Sequence, residues 1–166
     1  MSLYEIIRRY GRRTRRYGRV RFVIEMALIG FPLKMLGAML IMPLGADLSP
    51  ATTEAIDTGN VLAMFVVAVL LGPLIETIIG QWLPIQLARQ LSRRVAHWIL
   101  FSALAFAVMH FHAGWEAVAI TFGPGVVFAW CWVLGRERSW MNALILTTAA
   151  HGLHNMIALL FYLPTR

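Results

Sequence analysis

Five stretches of about 20 near-continuously apolar residues, each long enough to cross a bilayer as a helix, divide this chain and leave little between them. They run from about Phe22 to Met42, Val61 to Leu83, Val95 to Phe111, Trp115 to Leu134 and Trp140 to Leu163. In hydrocarbon every backbone N–H and C=O must be satisfied within the protein, so only helices and closed barrels cross. Barrel strands would appear as short segments alternating with a period of two; these runs do not alternate, and they read as helices. Composition agrees, since 59% of the 166 residues are hydrophobic and 14% are charged, against about 25% charged in a soluble domain. The expected fold class is therefore an all-α integral membrane protein. A single transmembrane helical domain over residues 22–166 follows a basic amphipathic segment over residues 1–21. The first span is longer than the apolar run of a cleaved signal peptide and is expected to stay as an anchor. The lone Cys131, inside an apolar run, excludes an intrachain disulfide.

The arginines orient the spans. Arg8, Arg9, Arg12, Arg13, Arg15, Arg16, Arg19 and Arg21 precede the first, Arg89, Arg93 and Arg94 follow the second, and Arg136 and Arg138 separate the fourth and fifth. The alternate connections carry Asp47, Glu54, Asp57 and Glu116 with no Lys or Arg. Basic loops gather on the cytoplasmic side, so the N-terminus is expected in the cytoplasm and the C-terminus outside, in a cell (inner or plasma) membrane. Leu3, Tyr4, Ile6, Ile7, Tyr10 and Tyr17 interleave with the first arginines. Such a segment is suited to anionic lipid, and no nucleic-acid partner is needed to account for the net charge of +7. Residues 43–60, PLGADLSPATTEAIDTGN, read as a loop, and the tail PIQLARQLSRR after the second span reads as interfacial. Pro32 interrupts the first span, and Gly123-Pro124-Gly125 is expected to kink or break the fourth helix.

Against this background three polar clusters stand out: Glu76 in GPLIETIIGQ, His110 in FAVMH, and His151 with Asn155 in HGLHN. An ionisable group in hydrocarbon costs at least ~2.5 kcal/mol on the lenient insertion scales, so each needs a reason. Glu76 lies seventeen positions before Arg93 and His110 seventeen after it, so a hairpin turning there brings both to one depth. His151 lies fourteen positions past the turn at Arg136–Arg138, and Asn155 is one helical turn further on the same face. A carboxylate, two imidazoles and a carboxamide in one layer contain a general base, proton carriers and a donor for a developing oxyanion. The same residues admit other readings. With Glu76 the two histidines form a set compatible with zinc, and alone they could be an axial pair for haem, although no His-Glu-x-x-His helix is present. No cofactor is the favoured expectation.

The clusters resemble the CPBP family, the type II CAAX prenyl endopeptidases and their bacteriocin-processing relatives. Pro73 and Glu76 match the family's Pro-x-x-Glu-Glu-x-x-x-Arg motif, Phe106 and His110 match Phe-x-x-x-His, and His151 and Asn155 match His-x-x-x-Asn, over a core of about residues 60–160. Ser102 and Gly125 also look like family positions. Two positions depart: Thr77 stands where the family has a second glutamate and Gln81 where it has arginine, a charge-balanced exchange. The resemblance implies an intramembrane peptidase acting on a peptide or membrane-protein substrate. Glu76 and His110 would activate water, His151 and Asn155 would hold the oxyanion, and Thr77 and Gln81 would orient Glu76. A non-catalytic scaffold or assembly subunit of a membrane complex, having kept the fold, is the alternative. His97 and His112 read as interfacial, His154 as flanking the site, and Glu25 and Lys34 as snorkelling groups or contacts between helices. A phosphatase reporter fused after Arg166 should be active outside the cytoplasm, and a fluorescent reporter at the same place should stay dark; the reverse pattern would invert this topology.

Overall fold

The computed structural model describes residues 18–46 and 61–162, together with Glu5 and Arg9. Helix α1 is Arg19–Ile41 and tightens into a 3-10 turn at Met42–Leu44. Helix α2 covers residues 61–91 without interruption, α3 is Val95–Met109 followed by a 3-10 turn at His110–Ala113, α4 is Trp115–Arg136, and α5 is Trp140–Tyr162. No strand occurs among the described residues. Five helices are long and apolar enough to cross a membrane, and the chain is a multi-pass membrane protein. Most of the basic segment at residues 1–21 and most of the loop at residues 43–60 lie outside the described residues.

The spans begin and end close to where hydropathy puts them, with two differences. Residues 84–91, expected as an interfacial tail, continue α2 as regular helix and bury Pro84, Ile85 and Ala88 against α3. Helix α4 does not break at Gly123-Pro124-Gly125. It is the central helix, packed on α1, α3 and α5 at once, and the two glycines are where its neighbours come closest. A Cβ on Gly123 would stand 2.9 Å from Leu33 of α1, and one on Gly125 would stand 3.2 Å from the Ala103 carbonyl of α3. Neighbours on three sides keep a helix continuous through a proline that would break it in isolation.

The surface is apolar where a soluble protein would be charged. Leu28, Leu36 and Leu40 of α1, Leu62, Leu70 and Leu83 of α2, and Leu100 and Leu104 of α3 are all exposed. Helix α4, by contrast, exposes only Trp115 and Phe122 among its large apolar residues, and buries Val127, Phe128, Cys131 and Trp132. Apolar surface this extensive has lipid as its solvent. At the end carrying the basic turns, Trp98 donates to the Ser92 carbonyl (2.6 Å) while Arg89 covers its ring, and Trp140 meets Trp82 and Trp132 edge to face.

Helix α2 carries the feature that positions the rest. Two of its segments, Val66–Leu71 and Thr77–Trp82, are π-helical: the Gly72 N–H bonds Val67 O and the Leu83 N–H bonds Ile78 O, five residues back in each case. Each segment ends two residues before a proline, Pro73 or Pro84, which has no N–H and whose ring crowds the carbonyl four residues back. The prolines have no N–H to give the carbonyls five or four residues back, Ala68 O and Gly80 O among them. Other helices supply donors: Asn155 Nδ2 of α5 donates to Ala68 O (2.9 Å), and Ser102 Oγ of α3 donates to Gly80 O (3.0 Å). Between them α5 lies so close that a Cβ on Gly152 would collide with Val69 O. Gly152→Val should therefore destabilise the protein by about 1–3 kcal/mol through overpacking, seen as a lower Tm in detergent. Gly18→Ala, in open space, should leave Tm unchanged.

Candidate active site

Glu76 closes the short α-helical segment Gly72–Glu76 between the two π segments. Side chains on a helix lean toward its N-terminus, and Glu76 folds back over Gly72, its Oε1 3.4 Å from where a Cβ on that glycine would stand. The other carboxylate oxygen faces two imidazoles. Glu76 Oε2 is 3.5 Å from His110 Nε2 and 3.6 Å from His151 Nε2. Residues 34 and 75 positions apart in the chain thus meet at one oxygen. The separations exceed a direct hydrogen bond, as in many resting catalytic sites whose contacts shorten only with substrate present.

Backbone geometry decides how each ring presents itself. At the end of α3 the chain tightens, so the His110 N–H turns from Phe106 O to the carbonyls of Ala107 and Val108. Phe106 O is then taken by the ring of His110 itself, at 2.8 Å from Nδ1. A carbonyl only accepts, so Nδ1 carries a proton and the neutral ring points its Nε2 lone pair at Glu76. His151 is arranged the other way. Its Nδ1 is buried without a hydrogen-bond partner, and a bare lone pair is cheaper to bury than a bare N–H. Its proton therefore belongs on Nε2, directed at the same carboxylate. The carboxylate faces one donor and one acceptor, so a single mobile proton serves Glu76 and His110 together.

Aromatic packing holds both rings. His151 stacks on Phe128 (4.5 Å between centroids, 25°) and meets the edge of Phe106 (5.4 Å), which also touches His110 (4.9 Å). Phe106 is clamped between two helices: a Cβ on Gly80 would lie 3.0 Å from one side of its ring, and one on Gly125 would lie 3.1 Å from the other. Access is one-sided. The His151 side chain is 4% exposed, against 27% for Glu76 and 24% for His110, so His151 forms the back wall and the other two form the mouth.

The remaining expected site residues have definite places. Asn155, half-buried, anchors to Ala68 O one turn from Gly72 and keeps its second Nδ2 proton for another acceptor. Thr77, next to Glu76 in the chain, and Gln81, a turn beyond, are fully buried, yet neither bonds it. Thr77 Oγ1 has no hydrogen-bond partner, and Gln81 Oε1 accepts from Ser102 Oγ at 2.6 Å. Gln81 and Ser102 join α2 to α3 through their hydrogen bonds, with Thr77 buried on the same segment of α2. His154, expected only to flank the site, is buried against α1, with Nδ1 3.5 Å from Ala27 O and 3.1 Å from a would-be Cβ on Gly30. His112 is exposed on the 3-10 turn, its ring 6.3 Å from that of His110. His97 is exposed and pairs with Ser92 at the basic turn (2.8 Å), and Glu25 pairs with Arg21 (2.8 Å). Among the described residues no group of three or more His, Cys, Asp or Glu side chains is arranged to hold a metal ion. Phe128 and the Ala68 carbonyl escaped sequence reading. Phe128 is one aromatic among many on α4, whereas Ala68 could have been found by counting back five residues from Pro73.

A sequence model of the family described as type II CAAX prenyl endopeptidase Rce1-like matches residues 58–157, more than half the chain. The chain belongs to this family. No curated protein and no solved structure matches it. The family match covers α2 to α5 nearly entire and leaves α1 out, so Lys34 and the α1 face against His154 lie outside the matched core. Ser102→Ala, which strips Gly80 O and Gln81 of a buried partner, should cost about 1–3 kcal/mol. Thermal unfolding in detergent measures this, and a shift no larger than that of a lipid-facing control such as Leu104→Ala would remove Ser102 from the structural account.

Proposed function

We propose that the chain is an intramembrane peptidase that hydrolyses a peptide bond of a peptide or membrane-protein substrate, with Glu76 and His110 activating water. The observation that carries this reading is the convergence of two differently presented imidazoles on one carboxylate oxygen, at 3.5 and 3.6 Å, in a chain of an endopeptidase family. A water at the mouth of the site gives its proton to the Glu76–His110 pair as its oxygen attacks the carbonyl carbon. The tetrahedral oxyanion accepts from His151 Nε2–H and the free Asn155 Nδ2–H. The pair then returns the proton to the departing amine as the C–N bond breaks. His151 cannot pivot away, because Phe128 and Phe106 hold its ring. Gln81 and Ser102 serve by fixing α2 against α3 and thereby the direction of Glu76, and neither they nor Thr77 touch its carboxylate. The N-terminus is cytoplasmic in this reading, with its arginines on anionic lipid.

Glu76→Gln and His110→Ala should each lower peptide cleavage by about 10²–10⁴, and Asn155→Ala by less, since His151 remains. Comparison of membrane-protein termini in cells carrying wild type and Glu76→Gln is the measurement. Identical termini would leave the scaffold reading in its place. Loss of cleavage on chelation, restored by a divalent metal, would instead point to metal-assisted hydrolysis.

A further inference from the structure

The charge in the membrane that the site does not use is Lys34. It lies fifteen residues beyond Arg19 and ten short of Leu44 in the span that α1 forms, about 22 Å and 15 Å from the two ends at 1.5 Å per residue. Its side chain leans toward the Arg19 end, away from the nearer membrane face, so headgroup phosphates are not its partners. It is half-buried and makes no hydrogen bond or ion pair with any described residue; Glu25, the one acid of this helix, pairs with Arg21. Residues 30, 34 and 37 share one stripe of α1. Gly30 lies against His154 of α5, with 3.1 Å from its would-be Cβ to Nδ1, and Gly37 lies against Ala119 and Ile120 of α4 at 2.9 and 3.1 Å. Lys34, between them on that stripe, faces α4 and α5, the latter carrying His154 and His151. An ammonium held this deep without a counter-ion marks a functional position with an anion to bind.

We propose that Lys34 is a specificity-determining residue that holds a carboxylate of the substrate beside the cleavage centre. The inference rests on the peptidase reading of the neighbouring cluster. Glu76 is committed to two histidines and no acid among the described residues pairs with Lys34, so the bound anion is assigned to the substrate. A substrate segment reaching this depth is apolar, and it offers such a group either as its C-terminal carboxylate or as an aspartate or glutamate side chain. Either ion would pair with Lys34 in a low-dielectric setting, where a charge-assisted bond is strong, and would fix how far the segment advances toward Glu76.

The test uses the full chain in nanodiscs and three dansylated pools of apolar heptapeptides: free carboxylate, C-terminal amide, and amide with one internal glutamate. Binding is read by energy transfer from the native tryptophans, in the Glu76→Gln protein so that no turnover intervenes. A carboxylate pool should bind about tenfold more tightly than the plain amide. Which of the two carboxylate pools gains distinguishes a terminal from a side-chain source. Lys34→Met should abolish the preference and Lys34→Arg should keep it, with Tm recorded for both to show that they fold. Equal binding of all pools, binding of none, or a preference that survives Lys34→Met would overturn the proposal. A carboxylate preference at Lys34 in a protein whose wild type cleaves none of the pools would sink the peptidase reading and leave the anion site standing.

Discussion

Backbone carbonyls that lose their donors in hydrocarbon must find others, and this requirement organises the whole bundle. Water is absent to take up an orphaned C=O, and each one left bare costs several kcal/mol in lipid. Pro73 and Pro84 create such orphans in α2 at two depths. The structure answers each with a side chain from a different helix, Asn155 of α5 at Ala68 O and Ser102 of α3 at Gly80 O. The two answers fix α2 against both partners, with Glu76 between them, and place the carboxylate opposite the histidines that those same two helices carry. Helix α4 supplies the platform, through Phe128 beneath His151 and Gly125 beside Phe106.

Much of this was legible in the chain. The five spans followed from apolar length alone, because lipid permits so few solutions, and the arithmetic of turn to polar residue brought Glu76, His110 and His151 to one depth before any contact was known. The residues that resisted reading did so for physical reasons. A proline inside an apolar run says that a ladder bond is missing, but not whether the helix breaks, widens or continues. Pro124, Pro73 and Pro84 show that the neighbours decide. The end of α2 was placed too early because PIQLARQLSRR is amphipathic, and hydropathy cannot tell a helix that lays its apolar face on lipid from one that lays it on another helix. Thr77 and Gln81 read as supports of Glu76 by position in a motif. Their hydrogen bonds, or lack of them, depend on rotamers that the motif does not encode.

Polar groups in the bundle fall into three kinds once partners are counted. Ser102 and one amide proton of Asn155 are spent on backbone and Gln81 Oε1 on Ser102, and such contacts join helices at modest gain because the separated helices would also find partners. Glu76, His110 and His151 are held by their surroundings while their reactive atoms face each other across gaps slightly too long for hydrogen bonds. Lys34 has no partner among the described residues.

The paired π segments have one more consequence. A π turn holds one residue more than the α turn it replaces, and each extra residue rotates everything beyond it by about 100° around the helix axis. Because one such insertion lies before Glu76 and another after it, the azimuth of the five-residue block Gly72–Glu76 is uncoupled from that of both ends of α2. The lipid-facing leucines at either end can keep their bearing while the block between them is aimed independently at the bundle axis. Helix α2 thus behaves as a shaft with two splined joints, and the direction of its one carboxylate is set by the joints rather than by the shaft.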